Sequence, residues 1–446
     1  MKLQITRRSC TGTAGAGPKT ELAIARDTSL PFLSLTYRPI QLKEWMIPPL
    51  KAAKYSLASA LFDRRSRDRR KPVLNLLAKH LYFATLSGLL LFAPAVYGQT
   101  SKTASTPEWD KLVAAAKKEG KITISLPASA ELKKQIEEQF KKRFAIEVEV
   151  FTARGSSGVR RMADEFKAGV RHFDLHIGGS SSILTGMHDE GIIDPIEPWL
   201  MLPEVKDPKQ WWGGHMWVDS AKRFIYMFQA YLPESIWYNS DLVKPGELRS
   251  MDDFLNPKWK GKIGYLDPRT PGGGDSNWSY MWQIKGDDYL KNLAAQDLFI
   301  GRDQRVLSES LAKGRLAVLI GNTYYSFQPF VKAGLPVKPL PTLKEGTFGT
   351  GGSGNLAIIK APAHPNSTKV FVNWLLSRDG QEVFSRGLAQ ATRRLDVDTR
   401  WLKELGTIAA KDAVSVEDFL QVENQSEDKL DKVRKPAQKS AHALLK

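Results

Sequence analysis

From residue 122 onward the chain switches repeatedly between two hydrophobic periods, and this alternation restricts the fold more than any other feature. Apolar residues occupy every second position over 122–126 and 146–150, as in strands, and every fourth position over 132–144, as on one face of a helix. A predicted helix over 159–168, a strand over 173–177 and a helix after Ser182 continue the series. Such alternation is typical of an α/β fold, with a largely parallel sheet covered by helices.

The loops that follow the first three predicted strands are small and rich in hydroxyl groups. Ligands of parallel sheets bind beyond the carboxyl ends of the strands, which is where these loops lie. Each loop also precedes a helix, so its serines either cap that helix or help its free N–H groups to bind an anion or a polar ligand. The candidate ligand-binding residues are Ser129, Ser156, Ser157, Ser180 and Ser181.

A second strand-helix series begins near Ile263. Its first strand leads into the glycine-rich stretch 267–276, which contains Arg269 and Gly273 and precedes a predicted helix around Trp278. Backbone N–H groups in such a stretch either form a nest for an anion or belong to a flexible turn. We therefore add Arg269 and Gly273 to the candidate ligand-binding residues.

A short apolar run, Leu81–Ala95, follows a cluster of six basic residues over 64–71. Its length and the small residues after it are typical of a signal peptide cleaved near Gly98, while a buried core helix and a retained membrane anchor are the alternatives. The segment before the run is long for a leader, so translation begins at Met1 or at Met46. Export by the general secretory route and by the twin-arginine route both remain open.

The net charge of +17 lies mostly in this leader, because residues 1–98 carry 16 Lys and Arg against 5 Asp and Glu, a balance of +11. The rest of the chain has only +6, so the basic composition gives little support for nucleic-acid binding. The one cysteine, Cys10, also lies in the leader. Cleavage would therefore leave a mature chain without disulfides, thiolate metal sites or a cysteine nucleophile.

Several short segments, in a fixed order, resemble one known family. They are Arg161–Gly169, Glu190–Pro195, Trp237–Asn239, Asn256–Ile263, Val331–Val337 and Ala361–Asn366. With them the chain resembles the extracytoplasmic solute-binding proteins of ABC importers, in the cluster that includes the periplasmic ferric-iron-binding proteins.

The resemblance implies a bilobal periplasmic-binding-protein fold of type II, in which two α/β lobes are joined by crossover strands. Trp237–Asn239 would be the first crossover and Asn355–Ile359 the return. The implied domains are an extension with signal peptide (1–98), a discontinuous first lobe (106–236 plus 355–385) and a second lobe (237–354). Residues 386–446 would form C-terminal helices of unassigned lobe.

In the ferric members of this family, two adjacent tyrosines in an Asn-x-Tyr-Tyr setting bind the metal. Asn322–Tyr325 matches that motif, which makes Tyr324 and Tyr325 candidate metal ligands and ligand-binding residues. The histidine and glutamate that the family supplies from its first lobe are missing from the loops after the first and third strands. Either an anion, water or another tyrosine completes an Fe³⁺ shell, or the ligand is a small organic molecule or oxyanion.

The function implied is a monomeric, non-enzymatic periplasmic receptor that captures ferric iron or a small anionic or polar solute for a permease and its ATPase. No nucleic-acid partner is expected, and Fe³⁺ would be cargo rather than a resident cofactor. A secreted hydrolase or carbohydrate-active enzyme is the alternative, although nucleophile-elbow, zinc-protease and phosphate-loop motifs are absent. Gly349–Gly354 matches a dinucleotide pattern but precedes a strand, so we expect a connection between lobes.

Two further groups of residues permit more than one interpretation. His172 and His176 lie on a predicted strand, where a spacing of four does not bring side chains together, so we expect surface or structural histidines. The tryptophans at 211, 212, 217, 237, 278 and 282 either stack on a ligand or pack between lobes.

Overall fold

The computed structural model describes residues 106–152 and 155–445, without the side chains of 155–157. The predicted extension and signal peptide, and with them Cys10, lie outside the described residues. Within the described part, no helix combines the length and the apolar character needed to cross a membrane.

Fourteen strands occur in the described residues. They are β1 (Lys121–Leu126), β2 (Glu147–Thr152), β3 (Leu175–Gly178), β4 (Ile193–Asp194), β5 (Met216–Trp217), β6 (Tyr226–Met227), β7 (Tyr231–Pro233), β8 (Ile236–Asn239), β9 (Ile263–Leu266), β10 (Phe299–Gly301), β11 (Val318–Ile320), β12 (Val337–Pro339), β13 (Asn355–Ile359) and β14 (Thr407–Ala409).

The α-helices of the described residues are α1 (Pro107–Glu119), α2 (Ala130–Phe144), α3 (Gly155–Lys167), α4 (Ser180–Ile183), α5 (Pro203–Lys206), α6 (Gly273–Ala294), α7 (Gln304–Ala312), α8 (Tyr324–Lys332), α9 (Pro365–Leu376), α10 (Arg378–Leu388), α11 (Ala410–Ala413), α12 (Val416–Val422), α13 (Glu427–Lys429) and α14 (Lys435–Leu444). Two π-helical segments, Leu184–His188 and Leu430–Arg434, continue α4 and α13. Short 3₁₀ turns span Glu197–Trp199, Pro208–Gln210, Met251–Leu255, Pro257–Trp259 and Arg400–Leu405.

The first helix shows how the sequence sets its own limits. Thr106 accepts a hydrogen bond from the Trp109 amide at 3.2 Å, and Pro107 occupies the first helical position. Gly120 ends α1 in the left-handed conformation, with φ of 74°. The residues at both ends of α1 therefore account for its limits.

The first lobe is built on a mixed seven-stranded sheet. Its order is β2-β1-β3-β13-β6-β5, with β4 also paired to β13; β1 runs parallel to β2 and β3, and β13 runs antiparallel to β3. Side chains alternate along β13, so Leu356 and Ile358 join the core formed with α2, α9 and α10, while Ala357 and Ile359 join the core formed with α3 and α4. The sheet is therefore covered on both faces.

The second lobe has a five-stranded sheet in the order β10-β9-β11-β8-β12. Strands β10, β9 and β11 are parallel, and β8 is antiparallel to β11 and β12. Val318 and Ile320 on β11 pack with α6 and α14, and Leu319 packs on the opposite face with α7 and α8. The predicted strand-helix alternation is present in both lobes.

The segments that join the lobes lie slightly away from the predicted crossovers. Trp237–Asn239 is part of β8, inside the second sheet, and Asn355–Ile359 is β13, inside the first. Between the sheets, Tyr231 of β7 pairs with Thr350 of the return segment. The crossings are therefore at about 231–235 and 349–354, and Gly349–Gly354 is the expected connection.

Three of the tryptophans belong to the cores of the lobes rather than to the space between them. Trp211 lies in the first-lobe core, while Trp237 and Trp278 lie in separate clusters of the second lobe. Trp237 stacks on Phe327 with ring centres 4.2 Å apart. Packing within a lobe explains these three residues.

Candidate ligand-binding cleft

The carboxyl ends of three parallel strands of the second lobe bring together the loops that follow them. Strand β9 ends at Leu266, β10 at Gly301 and β11 at Ile320, in adjacent register. This arrangement places 267–272, 302–303 and 321–323 at one edge of the sheet, where ligands of such sheets bind.

Two arginines at this edge share one buried carboxylate. Asp267 accepts from Nε of Arg269 at 2.8 Å and from Nε of Arg302 at 2.9 Å. Burial alone would raise the pKa of Asp267, but the hydrogen bonds from the two arginines outweigh burial and lower this pKa to about 2. With Asp267 ionised, the three side chains carry a net charge of +1.

The two arginines differ in how accessible they are. Arg269 is 21% exposed and also donates through Nη1 to the backbone carbonyl of Leu445 at 3.3 Å, so the C-terminal helix fixes its position. Arg302 is 69% exposed and presents its outer edge to solvent. Sequence reasoning missed Arg302, because a single arginine after a short strand is not a recognisable motif.

Helix α6 begins beside these arginines without a side-chain cap, since its N-cap residue is Gly272. Gly273 is needed for close packing, because a Cβ atom there would lie 2.1 Å from the backbone oxygen of Gly321. The predicted glycine-rich loop is therefore a tight helix start against the end of β11, with Gly272 exposed. The first amides of a helix have no partner within it and can donate to an anion.

Tyr324 and Tyr325 form the first turn of α8 and lie where the two lobes meet. Tyr324 packs against the clusters that contain Trp237 and Tyr231, and Tyr325 packs against the first-lobe core. Burial raises the pKa of both phenols. Both side chains are therefore neutral hydrogen-bonding groups at neutral pH.

A third tyrosine comes from the first crossing. Burial, followed by repulsion from the nearby Tyr325, raises the pKa of Tyr231 well above its ordinary value. The Cβ position of Gly352 would lie 2.2 Å from the Tyr231 hydroxyl, so only a glycine leaves room for that group. Sequence reasoning missed Tyr231, because its neighbours in space are distant along the chain.

The loop before the tyrosine pair is held by Asn322. Its Nδ2 donates to the Gln304 carbonyl and to Ser308 Oγ, both at 2.9 Å, which ties β11 to α7. Its Oδ1 is buried and has no protein partner among the described residues. The asparagine of the Asn-x-Tyr-Tyr motif thus fixes the position of the loop before the two tyrosines.

In the first lobe, Ser129 acts as a helix cap. Its Oγ accepts from the Leu132 amide at 3.2 Å and donates to the Gly387 carbonyl at 2.9 Å, so α2 and α10 are joined. Ser129 is 93% buried, and the cap together with the bond to α10 accounts for its hydrogen bonds. The side chains of Ser156 and Ser157 lie outside the described part of the structure, although both residues belong to α3.

The serines at the start of α4 face different surroundings. Ser180 Oγ donates to Oε1 of Gln425 at 2.7 Å, in a buried bond with the C-terminal segment. Ser181 Oγ is also buried but has no partner among the described residues. Among the candidate serines whose side chains the structure describes, Ser181 therefore has an unengaged hydroxyl.

The candidate donors of the two lobes are phenols, hydroxyls, amides and guanidinium groups. Within the described residues, no group of three or more His, Cys, Asp or Glu side chains is placed to hold a metal ion. Any metal shell built here would therefore depend on tyrosine oxygens.

Solved periplasmic binding proteins share this fold at low sequence identity. Iron-bound HitA of Pseudomonas aeruginosa is 18% identical, with 68% of this chain and 97% of that chain covered at a TM-score of 0.51. AfuA of Actinobacillus pleuropneumoniae with exogenous fructose-6-phosphate is 18% identical. The match covers 73% of this chain and 99% of that chain, with a TM-score of 0.54. The IdiA (FutA) protein of Trichodesmium with iron and citrate is 17% identical. The match covers 73% of this chain and 99% of that chain, with a TM-score of 0.52.

These likenesses establish the bilobal type II fold that the resemblance implied. The model of the family described as bacterial extracellular solute-binding protein matches residues 123–382, more than half of the 446 residues. The matched segment includes both sheets except the first two residues of β1, and it includes the arginine pair and the tyrosine pair. The chain therefore belongs to the family of bacterial extracellular solute-binding proteins.

Proposed function

We propose that this protein is the periplasmic substrate-binding component of an ABC importer and that its ligand is a small organic anion. One observation supports this class of ligand: Arg269 and Arg302 both donate to the buried Asp267, beside the start of α6, which has no side-chain cap. A phosphate or carboxylate group there gains charge-assisted hydrogen bonds from Arg302 and backbone amides.

The remaining groups suit the polar body of such a solute. Tyr231, Tyr324 and Tyr325 keep their protons at neutral pH, so each can donate a hydrogen bond to an anionic or hydroxyl oxygen. Ser181 offers an unengaged hydroxyl from the first lobe. Contacts from both lobes would make binding depend on their closure.

Closure supplies the transport signal in this proposal. A solute that contacts both lobes binds the closed form more tightly and shifts the population toward it, and the permease recognises the closed form. The lobes proposed to move are 106–236 with 355–385, and 237–354, about the crossings near Tyr231 and Thr350.

Isothermal titration with citrate, a hexose phosphate, inorganic phosphate and ferric citrate tests the ligand class. We expect at least one metal-free organic anion to bind, and Arg302→Gln to weaken it at least ten-fold, because hydrogen bonds to charged groups contribute about 1.5–3 kcal/mol. Arg305→Gln, an exposed arginine nearby, is the matched control and should bind normally. Equal affinity in the two variants would refute the proposed role of Arg302.

Ferric iron is the second candidate ligand, because Tyr231 supplies a third phenol beside the predicted pair. Fe³⁺ favours anionic oxygen ligands and would displace the phenolic protons, with an anion completing the shell. Adding ferric citrate should then produce a visible phenolate-to-iron absorption band that is lost in Tyr324→Phe and in Tyr325→Phe. No band in the wild-type protein would remove iron from consideration.

Release of unchanged solute distinguishes a receptor from a hydrolase. Mass spectrometry of the bound solute before and after unfolding should give one compound, whereas a second product would favour the enzyme.

Mass spectrometry of the native protein tests the proposed cleavage near Gly98, and light scattering tests the proposed monomer. Pull-down with the permease and ATPase tests the proposed partners.

A further inference from the structure

The C-terminal segment connects the two lobes through a continuous row of buried hydrogen bonds. From the first lobe, Ser180 Oγ donates to Gln425 Oε1 at 2.7 Å, and Gln425 Nε2 lies 3.3 Å from Asn424 Oδ1. Asn424 Nδ2 then donates to the backbone carbonyl of Ser276, on α6 of the second lobe, at 3.1 Å. We call Asn424 and Gln425 the clasp.

The backbone around the clasp holds these two side chains in place. Glu423 accepts from the amides of Gln425 and Ser426 at 2.7 and 3.0 Å, and from Ser426 Oγ at 2.7 Å. The Gly349 amide donates to the Val422 carbonyl, and the Asn424 amide donates to the Gly349 carbonyl. The clasp therefore lies against the return crossing, where the lobes must move relative to each other.

The segment beyond the clasp is anchored to both lobes. Glu427 accepts from the Ser220 amide at 2.7 Å in the first lobe. Arg434 forms a buried ion pair with Asp275 at the start of α6, with Nε 3.0 Å from Oδ2. When the lobes separate, the clasp cannot keep both Ser180 and Ser276, so at least one of its bonds must break.

We propose that Asn424 and Gln425 stabilise the closed form before any solute binds, and so set the ratio of open to closed molecules. The proposal rests on the solute-capture function for its biological meaning, but it concerns the unliganded protein. The Ser180 hydroxyl then helps to hold the lobes together. A solute that accepts a hydrogen bond from this hydroxyl must displace Gln425.

The test measures lobe separation without ligand. Nitroxide labels on Lys142→Cys in α2 and Lys291→Cys in α6, with Cys10→Ser, report the distance between the lobes by pulsed electron paramagnetic resonance. Both lysines are exposed. Amide exchange over residues 324–328 is measured on the same variants without labels, because it reports small open populations that the distances would miss.

Gln425→Ala and Ser180→Ala should each raise the open-to-closed ratio about five-fold, as expected for the loss of one hydrogen bond of about 1 kcal/mol. The double variant should add little to either single variant, because both remove the same bond. Gln421→Ala, an exposed glutamine on the same segment, is the control and should match the wild type.

Unchanged distances together with unchanged exchange in Gln425→Ala would overturn the clasp. An additive double variant would also overturn it, since Ser180 and Gln425 would then act separately. Neither outcome affects the ligand-class proposal, because no ligand is present; conversely, failure of every solute to bind would leave the clasp result valid.

Discussion

His176 shows how one residue can be chemically distinct without belonging to the ligand site. Its side chain is 97% buried, and neither ring nitrogen has a partner among the described residues. A Cβ at Gly178 would lie 2.4 Å from Nε2, so the glycine makes room for the ring. Burial penalises the charged imidazolium and lowers the pKa of His176 to about 4.

This burial predicts a specific dependence of stability on pH. In the unfolded chain the histidine pKa returns to about 6.5, so the unfolded state binds a proton as pH falls from 6.5 to 4 while the folded state does not. The free energy of unfolding should therefore fall across that window, by on the order of 3 kcal/mol from this residue.

Urea unfolding at several pH values checks this prediction. His176→Gln lowers stability at neutral pH but removes the titration, so its free energy of unfolding should depend less steeply on pH between 6.5 and 4. A wild-type slope in His176→Gln would disprove the assignment.

At the residue scale, the sequence pointed to candidate residues but not to the side chains that they contact. Tyr324 and Tyr325 were identified from a motif, and the structure places them where the lobes meet. Arg302 and Tyr231 were missed because their significance comes from Asp267 and Tyr325, which are distant in sequence. The sequence left the role of Ser129 open between cap and ligand, and the bonds of its Oγ to the Leu132 amide and the Gly387 carbonyl favour the cap.

At the element scale, the start of α6 is the feature on which the second-lobe edge depends. Gly273 and Gly274 bring the helix into direct backbone contact with the ends of β11 and β9, where added Cβ atoms would lie 2.1 Å from Gly321 O and 1.8 Å from Leu266 O. Backbone atoms cannot rotate away as side chains do. The close approach therefore fixes the amides of α6 beside Arg269.

Gly273→Ala should destabilise the protein and disturb this edge. Relieving the contact requires a backbone shift, for which overpacking costs of about 1–3 kcal/mol are typical. Gly179→Ala, at the N-cap of α4, has no atom within 4 Å of the new methyl group and should change stability by less than about 0.5 kcal/mol. Thermal unfolding of both variants measures the difference. Equal melting temperatures would contradict the packing argument.

Periodicity predicted the elements well wherever one face was buried. The helix expected over 132–144 is α2 (Ala130–Phe144), with Leu132, Ile136, Phe140 and Phe144 all buried. The resemblance placed the crossovers at 237–239 and 355–359, and the structure has these residues in β8 and β13, each a strand inside a sheet. The pairing of Tyr231 with Thr350 joins residues that are far apart in sequence, so no local pattern predicts it.

At the scale of the whole molecule, the C-terminal residues 386–446 belong to neither lobe alone. Thr392 pairs with Gln229 in the first lobe, while Ala437, Ala441 and Leu445 on α14 pack into the second-lobe core. Sequence left this region unassigned because its short helices carry few apolar residues. The chain thus passes between the lobes three times, and the last passage contains the clasp.

The buried pair Asp275–Arg434 fastens that last passage, and its removal should be costly in a characteristic way. Arg434→Met leaves a buried carboxylate without its partner and should lower the free energy of unfolding by about 3–5 kcal/mol. Asp275→Leu combined with Arg434→Met should recover most of the loss, because two apolar side chains of similar size replace the ion pair. Lys435→Met breaks an exposed pair with Asp431 and should change little. Urea denaturation of the three variants measures these differences. A double variant no more stable than Arg434→Met would show that the segment is not held by this charge pair.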